Sequence, residues 1–296
     1  MSPVRIPPEV AAATRNQVGE GPVWLADQGR LLWVDITRHL VQWFDPGSDG
    51  VKVLDVGRDV GAVAPTTSSG LVAALPGEFA LVSPDGAVRS VARVEADKPG
   101  NRMNDGKCDS EGRFWAGTMA YDLTPGAAAL HRLNTDCTAE VVVEPVTLSN
   151  GIGWSPDDRL MYYIDSTTQR LDVFDFDASS GELGGRRTVA QIPQGKGMPD
   201  GLTVDADGCI WVALWGGGAV WRFTPDGRED LVIELPVSQV TSCAFGGTDL
   251  SDLYITSAAA GLSEEQLAKE PQAGALFRCR PGQQGLPPNG FAGCTG

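Results

Sequence analysis

Histidine is nearly absent from this chain. Only His39 and His131 occur among 296 residues, which excludes a multi-histidine zinc centre. The six cysteines, Cys108, Cys137, Cys209, Cys243, Cys279 and Cys294, never form a C-x-x-C pair, so neither a zinc ribbon nor a thioredoxin-type site is expected. Dispersed in this way, they read as buried or half-buried free thiols of a reducing, cytoplasmic compartment. No apolar run approaches the roughly 20 residues of a membrane helix. The opening Met1-Ser-Pro-Val-Arg-Ile-Pro-Pro-Glu lacks the apolar stretch of a signal peptide. Positive charge is scarce too: 23 Lys and Arg stand against 38 Asp and Glu, a net charge of −15. Such a surface repels phosphate backbones and anionic headgroups, so neither nucleic acid nor membrane is expected as a partner. A metal ion or a small neutral substrate is still compatible with it. Also missing are the G-x-S-x-G elbow, the P-loop and the G-x-G-x-x-G fingerprint, which weakens serine-hydrolase and nucleotide-binding readings.

What the chain does have is punctuation. Its 37 glycines and 20 prolines are spread between short apolar stretches, as in a protein of many strands and tight turns. One unit recurs. It is clearest as Asp200-Gly-Leu-Thr-Val-Asp-Ala-Asp-Gly-Cys-Ile-Trp-Val-Ala, a strand, a turn and a second strand. Counterparts begin at Glu20, Asn104 and Asn150, and weaker ones at Ala62 and Thr241. The spacings are 42, 42, 46, 50 and 41 residues, which matches the length of a four-stranded propeller blade. Further stretches such as Leu171-Asp-Val-Phe-Asp-Phe-Asp supply the second pair of strands in each unit. The predicted fold is therefore all-β: one six-bladed β-propeller domain over residues 1–296 with four-stranded blades. A β-sandwich of similar strand count is the alternative, and the fixed period disfavours it.

In the last blade, Ser263 with Gln266 three residues on, and Pro271 as a stop, predict a short capped helix. Residues before Glu20 are expected to close the ring by pairing with that blade. The C-terminal Pro287–Gly296 is either a loose tail or packs under a blade. Trp24, Trp33, Trp115, Trp154 and Trp211 recur at matching positions and are expected in the core between blades. Trp215 falls outside that register and is a candidate for the channel mouth. His39 and His131 are read as solvent-edge residues.

The first strand of each propeller blade lies nearest the axis, so the leading residues of the units converge on one mouth. They are Glu20, Ala62, Asn104, Asn150, Asp200 and Thr241. Two carboxylates and two amides in one ring are oxygen donors suited to a divalent cation. Taken singly, each Glu-Gly, Asn-Gly or Asp-Gly is an ordinary turn. In one closed ring at one register, the ligand reading gains on it, because buried like charges require a counter-ion. The glycines after Glu20, Asn150 and Asp200 would let a ligand approach closely.

Gly19-Glu20-Gly21-Pro22-Val23-Trp24, Arg102-Met-Asn104-Asp105-Gly-Lys, Gly117-Thr-Met-Ala, Ser149-Asn150-Gly151 and Pro199-Asp200-Gly201 follow in order, as do Cys243-Ala-Phe-Gly-Gly-Thr-Asp and Ala260-Gly-Leu-Ser. With these motifs the sequence resembles the regucalcin (senescence marker protein)/gluconolactonase family over nearly its whole length. The resemblance implies a propeller with one catalytic divalent metal, Ca²⁺ or Zn²⁺ before Mn²⁺ or Mg²⁺, held by Glu20, Asn150 and Asp200. It places substrate contacts on Arg102 and Asn104, and a further carboxylate near Asp122, beside Tyr121. It implies a small-molecule sugar lactone as substrate, and on chemical grounds Asp200 is assigned as ligand and general base at once. Arg102 would hold hydroxyls or a forming carboxylate with its planar fork, and Asn104 would donate and accept. The expected assembly is a monomer or weak homo-oligomer. Two other functions fit the same ligands: a calcium-binding regulatory protein of the regucalcin type, and a phosphotriesterase-like hydrolase.

Overall fold

The computed structural model describes residues 7–294. Its strands form six antiparallel sheets of four. Their inner strands are Gly19–Leu25, Ala62–Pro65, Asn101–Cys108, Ser149–Trp154, Met198–Val204 and Val240–Gly246. These inner strands pack on their neighbours around the whole circle, the first against the sixth as well as the second. The predicted six-bladed propeller is therefore the observed fold, with every blade beginning within three residues of its expected position.

The sixth blade is completed by the other end of the chain. Glu9–Ala12 pairs with Leu276–Cys279 as the outermost strand, placing Glu9 opposite Arg278 and Val10 opposite Phe277. This closure removes the open edge that would otherwise invite association. Between the second and third strands of that blade lies the one α-helix of the described residues, Glu264–Lys269. Ser263 accepts from the Gln266 backbone while the Gln266 side chain accepts from Ser263 N–H, a reciprocal cap that the sequence pattern predicts.

The core lies between blades. Trp115, Trp154 and Phe176 meet with ring centroids 6.0–6.1 Å apart, and Trp211 meets Phe245 at 5.6 Å. Each indole carries one polar N–H that burial would strand. The turn between the first two strands solves this twice. Asp109 accepts from the Trp115 indole at 2.8 Å, and Asp205 accepts from the Trp211 indole at 2.8 Å. Each of these buried aspartates also takes an arginine, Arg113 and Arg222 respectively.

Two expectations need correction. Cys108, Cys209, Cys243 and Cys279 are buried free thiols, but Cys137 and Cys294 are joined in a disulfide across 157 residues of sequence. Spacing could not reveal this pair, because only the path of the C-terminal segment brings the two together. His131 is not at a solvent edge: it is buried, with Nε2 3.6 Å from Glu95. His39 is half-buried, 3.2 Å from Asp59.

The C-terminal segment is also no loose tail as far as Cys294. It crosses the propeller from Gly285, which hydrogen-bonds to Leu250, to Phe291, which exchanges bonds with Pro65 and Thr67, and on to Cys294 at Thr135. Phe291 is fully buried against the second and third blades. Leu286–Asn289 thereby closes one end of a cavity of ≈ 310 Å³ inside the ring of inner strands.

Candidate functional site

The inner strands do more than line the axis. In five of the six, the pairing with the next strand breaks register near the leading residue. The breaks fall between Glu20 and Val23, Met103 and Gly106, Ser149 and Ile152, Pro199 and Leu202, and Val240 and Ser242. Such bulges re-aim a side chain. The exception is Ala62–Pro65, which pairs in unbroken register and has an alanine at the ring position. A bulge therefore accompanies every polar ring residue.

Two of the glycines after ring residues, Gly151 and Gly201, serve the packing of blades, while Gly21 takes a positive φ of 57° with nothing nearer than 3.9 Å to an added Cβ. A Cβ on Gly151 would meet the Asp200 carbonyl at 2.7 Å, and one on Gly201 would meet Ser242 Oγ at 2.1 Å. The close approach is made by the neighbouring blade, whereas the sequence reading assigned it to a ligand.

Six residues gather near this mouth: Glu20, Arg102, Asn104, Asp105, Asn150 and Asp200, all buried. Glu20 lies against Asp200 and Asp105. Burial and then these two carboxylates push its carboxyl well above the usual range, although its own Gly21 N–H donates to it at 2.8 Å. Burial and then Asp105 push Asp200 well up as well, although Asn150 and Glu20 are within hydrogen-bonding reach of it. Asp105 is raised chiefly by burial, with Lys107 and the Gly106 N–H acting against it.

Asn150 donates through Nδ2 to Ser166 Oγ at 3.0 Å. That contact fixes the amide, and its Oδ1 is buried without a hydrogen-bond partner. An orphaned carbonyl oxygen beside two carboxylates is a suitable environment for a hard cation. Among the described residues, no three His, Cys, Asp or Glu side chains are arranged to hold an ion on their own, and beside Glu20 and Asp200 the Asn150 amide offers an unengaged oxygen. Glu20, Asn150 and Asp200 thus fit a divalent metal.

Asn104 is committed elsewhere. Its Oδ1 accepts from Arg102 Nη1 at 2.8 Å and its Nδ2 donates to the Ser149 carbonyl at 2.8 Å. Arg102 also donates to the Met103 carbonyl. Its ionisable neighbours are Asp59, Tyr121, Glu20 and Asp200, so it stands between the carboxylates and the rim. Thr241, the sixth ring residue, spends its hydroxyl on Gly19 and Thr256.

Asp122 stands apart from this group. It is exposed, and its carboxylate accepts from the backbone and hydroxyl of Thr124. Its neighbour Tyr121 reaches Asp59 instead, O–H to Oδ2 at 2.7 Å, with 55% of its surface exposed over this side of the mouth. Burial and Asp59 push the phenol up to about 12. Trp215 is half-buried at the end of its strand, opposite Met198, on the same mouth by topology. Sequence reasoning assigned no role to Asp105, Lys107 or Tyr121. Their signal was adjacency: Asp105 and Lys107 stand in the Asn104 motif and Tyr121 directly follows Gly117-Thr-Met-Ala.

The fold recurs in known proteins. A family model described as SMP-30/Gluconolactonase/LRE-like region matches residues 18–259. The regucalcin of Xenopus laevis is 39% identical over 301 residues, covering 99% of this chain and all of the relative. A crystal structure of a calcium-binding protein, regucalcin, from Agrobacterium tumefaciens superimposes with a TM-score of 0.93 at 29% identity, covering 97% of this chain and 98% of that one. A luciferin-regenerating enzyme superimposes at 0.89 with 31% identity, covering 97% and 99%. The propeller, the ordered motifs and this full-length similarity agree: the chain belongs to the SMP-30/gluconolactonase/LRE-like family.

Proposed function

We propose that the protein hydrolyses sugar lactones to aldonic acids at a divalent cation held by Glu20, Asn150 and Asp200. The observation that carries this reading is the partnerless Asn150 Oδ1, buried beside two carboxylates that burial and their acidic neighbours hold well above the usual range. When bound, the cation supplies polarisation of the ester carbonyl and acidification of water. Asp200 takes the proton of the attacking water. The water oxygen bonds to the carbonyl carbon, the ring C–O bond breaks, and the departing ring oxygen gains a proton. Arg102, fixed by the Met103 carbonyl and Asn104, keeps the guanidinium fork near the hydroxyls of a polyol. Because Asp59, Glu20 and Asp200 already surround Arg102, a neutral lactone suits the mouth better than an anion does.

The test is hydrolysis of a panel of aldonolactones before and after chelation. Turnover should vanish with the metal and return with one divalent ion. Asp200→Ala should lose about 10²–10⁴-fold in turnover, the usual worth of a general base, while keeping its fold. Unchanged hydrolysis in the presence of chelator would end this reading. Cleavage of an aryl phosphotriester with no action on lactones would favour the phosphotriesterase reading.

A second reading is regulation by bound calcium. A structural relative is described as a calcium-binding protein, and Glu20, Asn150 and Asp200 would serve that role as well. Rate separates the two: lactone opening no faster than the spontaneous reaction, together with tight calcium binding, favours the regulator.

A further inference from the structure

A cation held by Glu20, Asn150 and Asp200 leaves one buried charge without a role. Lys107 lies three residues beyond Asn104 on the inner strand Asn101–Cys108. Arg102, at the start of that strand, reaches the rim groups Asp59 and Tyr121. Lys107, near its end, reaches the cavity closed by Leu286–Asn289. The ammonium donates to the Leu202 carbonyl of the fifth blade at 2.7 Å. Its charged neighbours are Asp105 and Glu20, and the nearby Cys243 thiol, pushed up to about 12 by burial, is neutral. The accessible surface that Lys107 keeps faces the cavity, which it lines together with Asp105.

An ammonium this deep is tolerated only where carboxylates compensate its lost hydration. Glu20, Asp105 and Asp200 carry three negative charges when ionised, and Arg102 and Lys107 carry two positive ones, leaving −1. Without Lys107 the balance is −2, and Asp105 faces the cavity with only the Gly106 N–H on its carboxylate.

Building on the divalent-cation reading, we propose that Lys107 is a resident cation of the channel, a fixed charge that restricts the site to one divalent ion and holds down its affinity. It is a positioning residue, because it acts through Asp105 and Glu20.

The test is calorimetric titration of Ca²⁺ and of Mn²⁺ into the metal-stripped full-length protein, its folding checked by circular dichroism. Lys107→Met should bind the first ion at least about tenfold tighter and take up a second, since a like charge lodged in the same low-dielectric channel is worth at least that much. Asp105→Asn should bind about tenfold more weakly. The double variant Asp105→Asn/Lys107→Met, with both charges gone, should return to within about threefold of the wild type. Binding by Lys107→Met that is unchanged in affinity and still one ion per chain would overturn the proposal and leave the cation reading intact. A wild-type protein that binds no divalent ion would overturn both. Should Lys107→Met not fold, the double variant decides: affinity as weak as that of Asp105→Asn alone refutes the resident-cation role.

Discussion

Two carboxylates facing each other inside a protein are stable only when something positive is shared between them. Glu20 and Asp200 are both pushed well above the usual range, by burial first and by carboxylate neighbours next. The sign of the consequence follows. A carboxyl raised on folding is held protonated by the native state, so the stability it allows is lost as pH rises above the ordinary carboxylate range. In excess chelator, the melting temperature should therefore fall from about pH 5 toward pH 8. Asp200→Asn should flatten that slope, and one divalent ion should restore stability at the alkaline end. An unaltered slope in the Asn variant would place the titrating group elsewhere. At the rim, Tyr121 reaches toward Arg102 while Asp122 turns back to Thr124. Tyr121→Ala should accordingly raise KM for lactones more than Asp122→Ala does, by about tenfold against about twofold, the latter being typical of an exposed position. The reverse order would return the substrate contact to Asp122.

At the scale of the strand, the site depends on bulges and on how closely neighbouring inner strands pack. Asp200 is aimed at the axis by a break in register, and the glycine after it lets the sixth blade come close. Gly201→Ala would drive a methyl into the side chain and backbone of Ser242. Overpacking of this kind costs about 1–3 kcal/mol, so the melting temperature should drop and metal affinity weaken as Asp200 shifts. Ser242→Gly in the same chain should recover part of both, since it removes the atoms struck first. A Gly201→Ala protein with the melting temperature of the wild type would show that the inner strands have more room than this. The blade as a unit was legible in sequence because the Trp and turn Asp recur at fixed spacing. The bulge was not, since it depends on the pairing partner.

At the scale of the molecule, closure comes from both ends of the chain. The segment Glu9–Ala12 completes the sixth blade, and the C-terminal segment spans the far side of the channel to reach the third blade. The Cys137–Cys294 bond fixes that path by closing a 157-residue loop. Disulfides typically contribute about 2–4 kcal/mol. Cys294→Ser should therefore lower the melting temperature of the oxidised protein by several degrees, and a dithiol reductant should bring the wild type to the same value. Equal melting of the oxidised wild type and Cys294→Ser would mean that Phe291 and its backbone bonds hold the segment alone.

The sequence by itself determined the number of blades, the order of the units and the residues that lead each inner strand. All of these follow from local patterning: period-two strands, turn glycines and a fixed repeat length. It also located the helix cap, because a capping box is complete within four residues. Only the tertiary structure decided which ring residues keep a free oxygen, since Asn104 is taken by Arg102 and Ser149 while Asn150 Oδ1 is left open. Only the structure brought Tyr121 to Asp59 and Cys294 to Cys137. Hydrogen-bond commitments and contacts between distant segments depend on how the blades close into a ring, and no local pattern in the chain records that.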